Sequence, residues 1–366
     1  MKFRSERDTL VEALAAAARA VSARATGATT GLHLVVKGND LTVTGTDLDL
    51  TIRARIEVIG LDDGESVVPA RLVTDAVRAL EPGAVTFEAG EEKVEISAAR
   101  SRFSLRIFPA VDFPPLPAPA AQSTSVPAGE LVEALRQVVR ASSSDDARPL
   151  LTGVLLTNEE GTLRLVATDS YRLALCDLPG RAGIAGDRDL LVPSRALTEL
   201  QRICGSGPED IEIGVALSDT EVTFFAGDTR ISSRLIDGAY PDYRQLIPAS
   251  YPNRLHLGKE TVLAALRRAR LLVRDNTTSV RLTMHAGGVD LRVVSHDLGD
   301  VEETVDGDFT GEELTIAFNP AYLIDGVDAV AGDEVVIETS DSSRPAMVHG
   351  AEEGSFRYLL MPVRVQ

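Results

Sequence analysis

Asp40-Leu-Thr-Val-Thr-Gly-Thr-Asp47-Leu48 alternates apolar and polar residues up to an acid, Asp47, and the chain repeats it twice. The later copies are Thr162-Leu-Arg-Leu-Val-Ala-Thr-Asp169-Ser170 and Val289-Asp-Leu-Arg-Val-Val-Ser-His-Asp297-Leu298. A second marker runs in phase: Val67-Val-Pro-Ala-Arg-Leu72, Leu191-Val-Pro-Ser-Arg-Ala196 and Ile316-Ala-Phe-Asn-Pro-Ala321. A third pairs Arg106-Ile-Phe-Pro-Ala-Val-Asp-Phe-Pro114 with Arg234-Leu-Ile-Asp-Gly-Ala-Tyr-Pro-Asp242, and its third copy is Phe356-Arg-Tyr-Leu-Leu-Met-Pro-Val-Arg364. The period of about 125 residues is too long for a solenoid unit and fits tandem homologous domains.

The 366 residues suit several domains of roughly 100–200 residues. Pro and Ala dominate 113–121, which reads as an extended linker, and a second boundary falls near 248–251. The expected domains are therefore 1–121, 122–248 and 249–366. Period-2 alternation predicts strands over 32–36, 41–44, 85–88, 222–225 and 335–338. Helices are expected over 7–22, 128–141 and 259–273, and after each proline marker over 71–80, 194–203 and 320–330. Runs of strands with two helices per unit indicate an α+β fold with antiparallel sheets.

Thirty-seven Lys and Arg against 55 Asp and Glu give a net charge of −18. That balance argues against a protein that coats itself with nucleic acid or anionic lipid, so a polyanion must meet a local basic patch. Ten Phe, six Tyr and no Trp leave few rings for stacking on single-stranded bases. Two cysteines, Cys176 and Cys204, suit a reduced, cytoplasmic compartment and make no four-ligand metal set. Met1-Lys-Phe-Arg-Ser-Glu-Arg-Asp-Thr-Leu10 has no apolar signal core, and Arg19 interrupts the alanine run, so no membrane segment is expected.

The expected helices carry the arginines. Arg267, Arg270 and Arg274 fall at i, i+3 and i+7, with Arg268 beside them and Lys259 at the start. Arg136 and Arg140 are four apart; Arg71 and Arg78, like Arg195 and Arg202, are seven apart. The bland reading is a set of solvated amphipathic faces; the functional one is a surface that meets duplex phosphates without reading sequence.

Phosphate-loop, zinc-protease and nucleophile-elbow motifs are absent from the sequence. His33, His256, His285, His296 and His349 show no ligand spacing, so no metal or other cofactor is expected. Asp47, Asp169 and Asp297 could form a carboxylate-dependent hydrolase site. Each follows a strand, where a carboxylate accepts backbone N–H bonds in a turn, and that reading is preferred.

Ala167-Thr-Asp-Ser-Tyr-Arg-Leu-Ala174, Arg148-Pro-Leu-Leu-Thr-Gly-Val154, Asp237-Gly-Ala-Tyr-Pro-Asp-Tyr243 and Met361-Pro-Val-Arg364 together resemble the bacterial DNA polymerase III beta subunit family, the sliding clamps, over the whole chain. The resemblance implies three tandem clamp domains with sheets outside and paired helices inside, closing as a head-to-tail homodimeric ring. Such a ring encircles duplex DNA and tethers a polymerase without catalysing anything itself. It also implies a pocket for Gln-Leu-x-Leu-Phe-like peptides of the polymerase III alpha subunit, the clamp loader and other clients. Carried over by motif, one part of that pocket is Arg148, Leu151, Thr168, Ser170, Tyr171, Arg172 and Leu173. The rest is Pro241, Leu246, Pro345, Leu359, Met361, Pro362 and Val363. Apolar walls with an adaptable methionine suit many clients, although Leu173, Leu359 and Met361 could equally be core residues at strand ends.

Leu271 and Leu272 resemble the family's dimer-interface leucines; two adjacent leucines cannot both face one core. Arg24 matches a DNA-contacting basic residue, but Ala-Thr-Gly-Ala-Thr-Thr-Gly follows it where the family usually has a proline-rich stretch. Ser170-Tyr171 stands where some members have Gly-His. The last helix carries Asp325 and Asp328 and no basic residue, so little phosphate contact is expected from it. A specialised second clamp, for repair or for resistance to a clamp-directed antibiotic, and a protein-only scaffold remain open readings.

Overall fold

In each repeat a short strand runs directly into a helix, and a second strand runs into a second helix. The computed structural model describes residues 1–118, 120–122, 124–205, 211–274, 278–295, 297–352 and 354–364; His296 lies outside them. Among the described residues six α-helices form: α1 (Arg7–Ala18), α2 (Ala70–Ala79), α3 (Ala128–Val138), α4 (Ser194–Cys204), α5 (Lys259–Ala269) and α6 (Pro320–Ala329). Apolar residues at helical spacing decide which face each buries: Leu10, Ala13, Leu14 and Ala17 in α1, and Val262, Leu263, Ala265, Leu266 and Ala269 in α5. Each fully buried leucine contributes about 1.5–3 kcal/mol.

All five expected strand segments lie in strands: Gly31–Lys37, Asp40–Thr46, Ala84–Ala89, Glu221–Ala226 and Glu334–Thr339. The strands form antiparallel sheets of five, eight and twelve strands. The chain divides into two compact units, 1–129 with 195–235, and 130–194 with 236–366. In the first unit, α1 and α2 pack Leu10, Leu14, Val73 and Val77 against Leu32, Leu34, Val43 and Phe87. The eight-stranded sheet belongs to this unit, and Leu50–Glu57 of the first repeat pairs there with Thr229–Arg234 of the second. In the second unit, Arg172–Pro179 of the second repeat pairs with Phe356–Leu360 of the third, inside the twelve-stranded sheet. The middle repeat thus lends one sheet to each unit.

Three helices end earlier than their periodicity predicts. In α1 the N–H of Ala20 bonds to the carbonyl of Ala17 at 3.1 Å, an i−3 contact that tightens and ends the helix before Ser22. The chain after α3 is a 3-10 turn, Val139–Ala141, and α5 is followed by Arg270–Leu272 in the same form. Arg140, Arg270 and Arg274 therefore lie beyond their α-helices, and the predicted i, i+3, i+7 arginine face does not form. Cys176 and Cys204 are free and buried, and burial pushes both thiols up to about 11, which keeps them protonated and unreactive near neutral pH.

Helix α6 is anchored at both ends. The Asn319 side chain accepts N–H bonds from Ala321 and Tyr322 at 2.9 and 3.2 Å, and Pro320 fills the first turn. At the other end Arg136 donates to the carbonyls of Asp328 and Ala329, Gln137 to Ala329, and Lys259 to Val330. Cations at a helix C-terminus satisfy orphan carbonyls and oppose the helix dipole.

Candidate functional site

The turn at 169–172 builds the centre of the motif-derived pocket. Asp169 Oδ1 accepts the N–H groups of Tyr171 at 2.9 Å and Arg172 at 3.0 Å, while Thr168 Oγ1 accepts that of Ser170 and donates to the Arg172 carbonyl at 2.6 Å. Ser170 sits at φ 79°, a left-handed conformation that these side-chain bonds hold in place. Asp47 holds the equivalent turn, accepting from Asp49 and Leu50 at 3.2 and 2.8 Å, with Leu48 at φ 78°.

Arg172 is the hub. Its Nε donates to Asp169 at 3.0 Å and its Nη1 to Asp325 of α6 at 2.6 Å, and its guanidinium lies 4.3 Å from the centre of the Tyr322 ring. Burial works to lower its pKa, but Tyr358, Asp325 and Asp169 outweigh burial and raise it. The ring of Tyr322 stacks on Tyr171 at 6.5 Å, leaving Tyr171 59% exposed.

The other sequence-predicted residues divide by burial. Leu173 and Leu359 face each other across neighbouring strands and are 2% and 3% exposed, so for these two the core reading holds. Both belong to a small apolar cluster with Leu155, Val166, Tyr243 and Met347. Met361 is 41% exposed, and its N–H bonds to the Tyr171 carbonyl at 2.9 Å. Val363 is also exposed, tied to the Ala317 carbonyl at 2.8 Å. Leu246, 48% exposed, ends a short 3-10 turn that Tyr243 anchors in the core. Leu151 and Thr168 are buried, Pro345 and Pro362 half-buried, and Pro241 exposed. Arg148 bridges the Asp169 carbonyl, Ser170, Ser143 and Asp145, bracing the turn. Tyr171, Leu246, Met361 and Val363 are thus large exposed side chains with apolar surface, of the kind that partners cover.

Sequence reasoning missed Tyr322. It is the third residue of α6, where the corresponding helices carry Leu72 and Ala196, and only the stacked geometry shows its part. Asp325 and Asp328 were expected only to weaken phosphate contact. They instead gather arginines: Asp328 pairs with Arg140 at 2.8 Å and Arg267 at 3.4 Å.

The basic set divides accordingly. Arg136, expected to face DNA, caps α6 and pairs with Glu133, so its guanidinium is spent on the fold; Arg140 is held on Asp328. Arg268 makes a two-bond contact with Glu303, Arg202 pairs with Glu199, and Arg195 with Asp47. Arg24 and Arg270 are exposed, as is Arg274, and Arg71 is only 3.8 Å from Asp75. Arg71 and Arg78 line a cavity of about 700 Å³ together with Ala15, Ala18 and Arg19 of the first repeat.

The three aspartates do not make a catalytic set. Asp47 and Asp169 are committed to their own turns, and Asp297 is an exposed residue between the strands Gly288–Ser295 and Gly299–Thr310. Leu271 is 79% exposed and Leu272 half-buried.

Family profiles for the DNA polymerase III beta subunit match the chain as its N-terminal domain over 1–117, central domain over 125–242 and C-terminal domain over 244–364. The beta sliding clamp of Pseudomonas aeruginosa is 30% identical, with 100% of each chain covered. That of Caulobacter vibrioides is 32% identical, again over 100% of both. A sliding clamp from Bartonella birtlesii, solved with griselimycin bound, superposes with a TM-score of 0.92 at 29% identity over 100% of both chains.

Removing Arg172 leaves Asp169 and Asp325 facing each other without their cation. Arg172→Met is expected to cost about 3–5 kcal/mol of unfolding free energy, read by chemical denaturation. A loss below about 1 kcal/mol would show that the pair behaves as a surface contact.

Proposed function

The chain belongs to the DNA polymerase III beta subunit family, the beta sliding clamps, and from that premise we propose how its own residues divide the work. It acts as a non-catalytic accessory subunit that holds a DNA polymerase on its template and makes synthesis processive. Three clamp domains, 1–121, 122–248 and 249–366, carry the function in the cytoplasm. Among the described residues no helix is long and apolar enough to cross a membrane.

Client proteins dock on the surface around Tyr171, Leu246, Met361 and Val363. The single observation behind this is that these large side chains with apolar surface stay exposed. A short apolar peptide would bury them, and the methionine would let different sequences settle. Arg148, anchored on the turn, would meet a polar group at the peptide's edge. Duplex DNA would be met by the exposed arginines Arg24, Arg270 and Arg274, with Arg71, Arg78, Arg195, Arg202, Arg267 and Arg268 available only after leaving their acids.

Ring closure with a second copy follows from the repeat. The first repeat's Leu50–Glu57 pairs with a strand of the second, and the second's Arg172–Pro179 with a strand of the third. The third repeat's equivalent, Gly299–Thr310, pairs over its first part only with Gly288–Ser295 among the described residues, and Ser101–Arg106 of the first repeat ends its sheet. These two open edges carry opposite charge: Arg100, Arg102 and Arg106 against Asp300, Glu302 and Asp306, all exposed. An open edge is a template for another strand, and complementary charge selects which one. Leu271, beside the acidic edge strand's domain core, would be covered in the same step.

Three measurements check this. A labelled Gln-Leu-Ser-Leu-Phe peptide, followed by fluorescence anisotropy, is expected to bind saturably to the full chain and not to a form lacking 361–366; equal binding by both forms would move the client site elsewhere. Replacing Arg24 and Arg71 by Gln should lower the salt dependence of retention on nicked circular duplex by about one phosphate contact each. An unchanged slope would remove them from the DNA path. Converting Arg100, Arg102 and Arg106 to Glu should shift the protein from dimer to monomer in sedimentation velocity, whereas a persistent dimer would place the interface on other strands.

A further inference from the structure

At the junction of the first and second repeats, Arg53 on Leu50–Glu57 lies directly opposite Arg230 on Thr229–Arg234. Like charges directly opposite on paired strands repel. Arg55, two residues along, shares their face of the sheet. The three arginines line a cavity of about 200 Å³ with Thr42, Gly227 and Asp228. Arg55 already gives its Nε and Nη2 to Asp40, at 3.0 and 2.8 Å. Arg53 Nε is shut off from solvent and has no hydrogen-bond partner among the described residues. Burial first, and then Arg230, lower its pKa. A buried guanidinium N–H without an acceptor is costly, and three cations around one cavity with a single lining acid call for more negative charge.

The second junction supplies an internal control. The cross-strand pair Thr42 and Arg55 corresponds by the repeat to Arg164 and Asp177. There Arg164 donates from Nε and Nη2 to the two Asp177 oxygens at 2.6 and 2.9 Å, and Arg357, on the joining strand, lies 3.9 Å from the same carboxylate. An acid neutralises the arginines of that junction from within the chain. At the first junction an arginine, Arg55, occupies the acid's position.

We propose that Arg53, Arg55 and Arg230 form a binding site for a phosphate-sized oxyanion, which supplies at the first junction the negative charge that Asp177 supplies at the second. Guanidinium forks match the oxygen geometry of such an anion. Bound there, the anion bridges a strand of the first repeat to a strand of the second. The site lies on side chains outside the client surface and outside the arginines assigned to duplex DNA.

The test uses the full-length protein in sodium phosphate and in sodium chloride of matched ionic strength. Thermal unfolding should show a phosphate-dependent rise in Tm of a few degrees, since a ligand of the native state stabilises by mass action, and the 31P resonance of inorganic phosphate should broaden. Both effects should vanish in Arg53→Met and in Arg55→Asp, and the second variant should be more stable than the parent in chloride because it restores the internal acid. Lys93→Gln, away from the cavity, should keep the phosphate effect. A parallel arm with a short oligothymidylate separates the sources: the same Arg53-dependent shift with the oligonucleotide assigns the site to backbone phosphate, and a shift with inorganic phosphate alone to the free anion. No shift in the parent protein, or one that survives both cavity variants, overturns the proposal. Should Arg55→Asp fail to fold, Arg53→Met decides.

Discussion

A β-strand at the edge of a sheet leaves a row of backbone donors and acceptors unpaired, and this molecule is organised by how it fills such edges. The first two repeats each place strands in two sheets, and at both internal junctions the last strand of one repeat's strand set pairs with a strand of the preceding repeat. The middle repeat has no choice but to divide, lending a sheet to each side, which is why the compact units cut through it while the sequence period does not. Backbone pairing of this kind is indifferent to side chains. It leaves the faces of each junction free to diverge while the scaffold stays the same.

Polar side chains then fix what the backbone leaves loose. Arg172 connects the 169–172 turn to α6 through two carboxylates and an aromatic face, so the position of Tyr171 depends on a helix of the next repeat. The far end of α6 receives Arg136, Gln137 and Lys259 on its last carbonyls. A helix with an acid, Asp328, in its own last turn opposes its dipole and is unfavourable in isolation. It becomes favourable once arginines from neighbouring elements surround it, and those arginines become ordered in exchange.

The repeat, five strand segments and the six described helices were legible because apolar periodicity and proline markers report backbone and burial directly. Helix ends were not, since the change from α to 3-10 after Val138 and Ala269 depends on tertiary contacts that no local pattern carries. The residues proposed for the client site were legible as a set of motifs, but their burial was not. Leu173, Leu359 and Met361 are all apolar residues near strand ends, and only the strand register separates the buried pair from the exposed methionine. The basic surface was the least legible part. An arginine in sequence is a charge without a partner; Arg136 caps carbonyls, and Arg268 pairs with an acid, that lie far away in the chain.

That pairing bears on how a clamp can hold DNA without gripping it. A free arginine gains the full release of counterions when it meets a phosphate, and a row of them would bind tightly at one place. Arg195, Arg202, Arg267 and Arg268 each rest on an acid of this chain, so a phosphate would have to exchange with a carboxylate, and the net gain is the small difference between two similar contacts. A surface made of such exchangeable pairs stays attractive to a duplex everywhere and strongly attractive nowhere. An overall charge of −18 further keeps DNA off the rest of the molecule, so the tether can come from topology and the side chains need only keep the duplex centred.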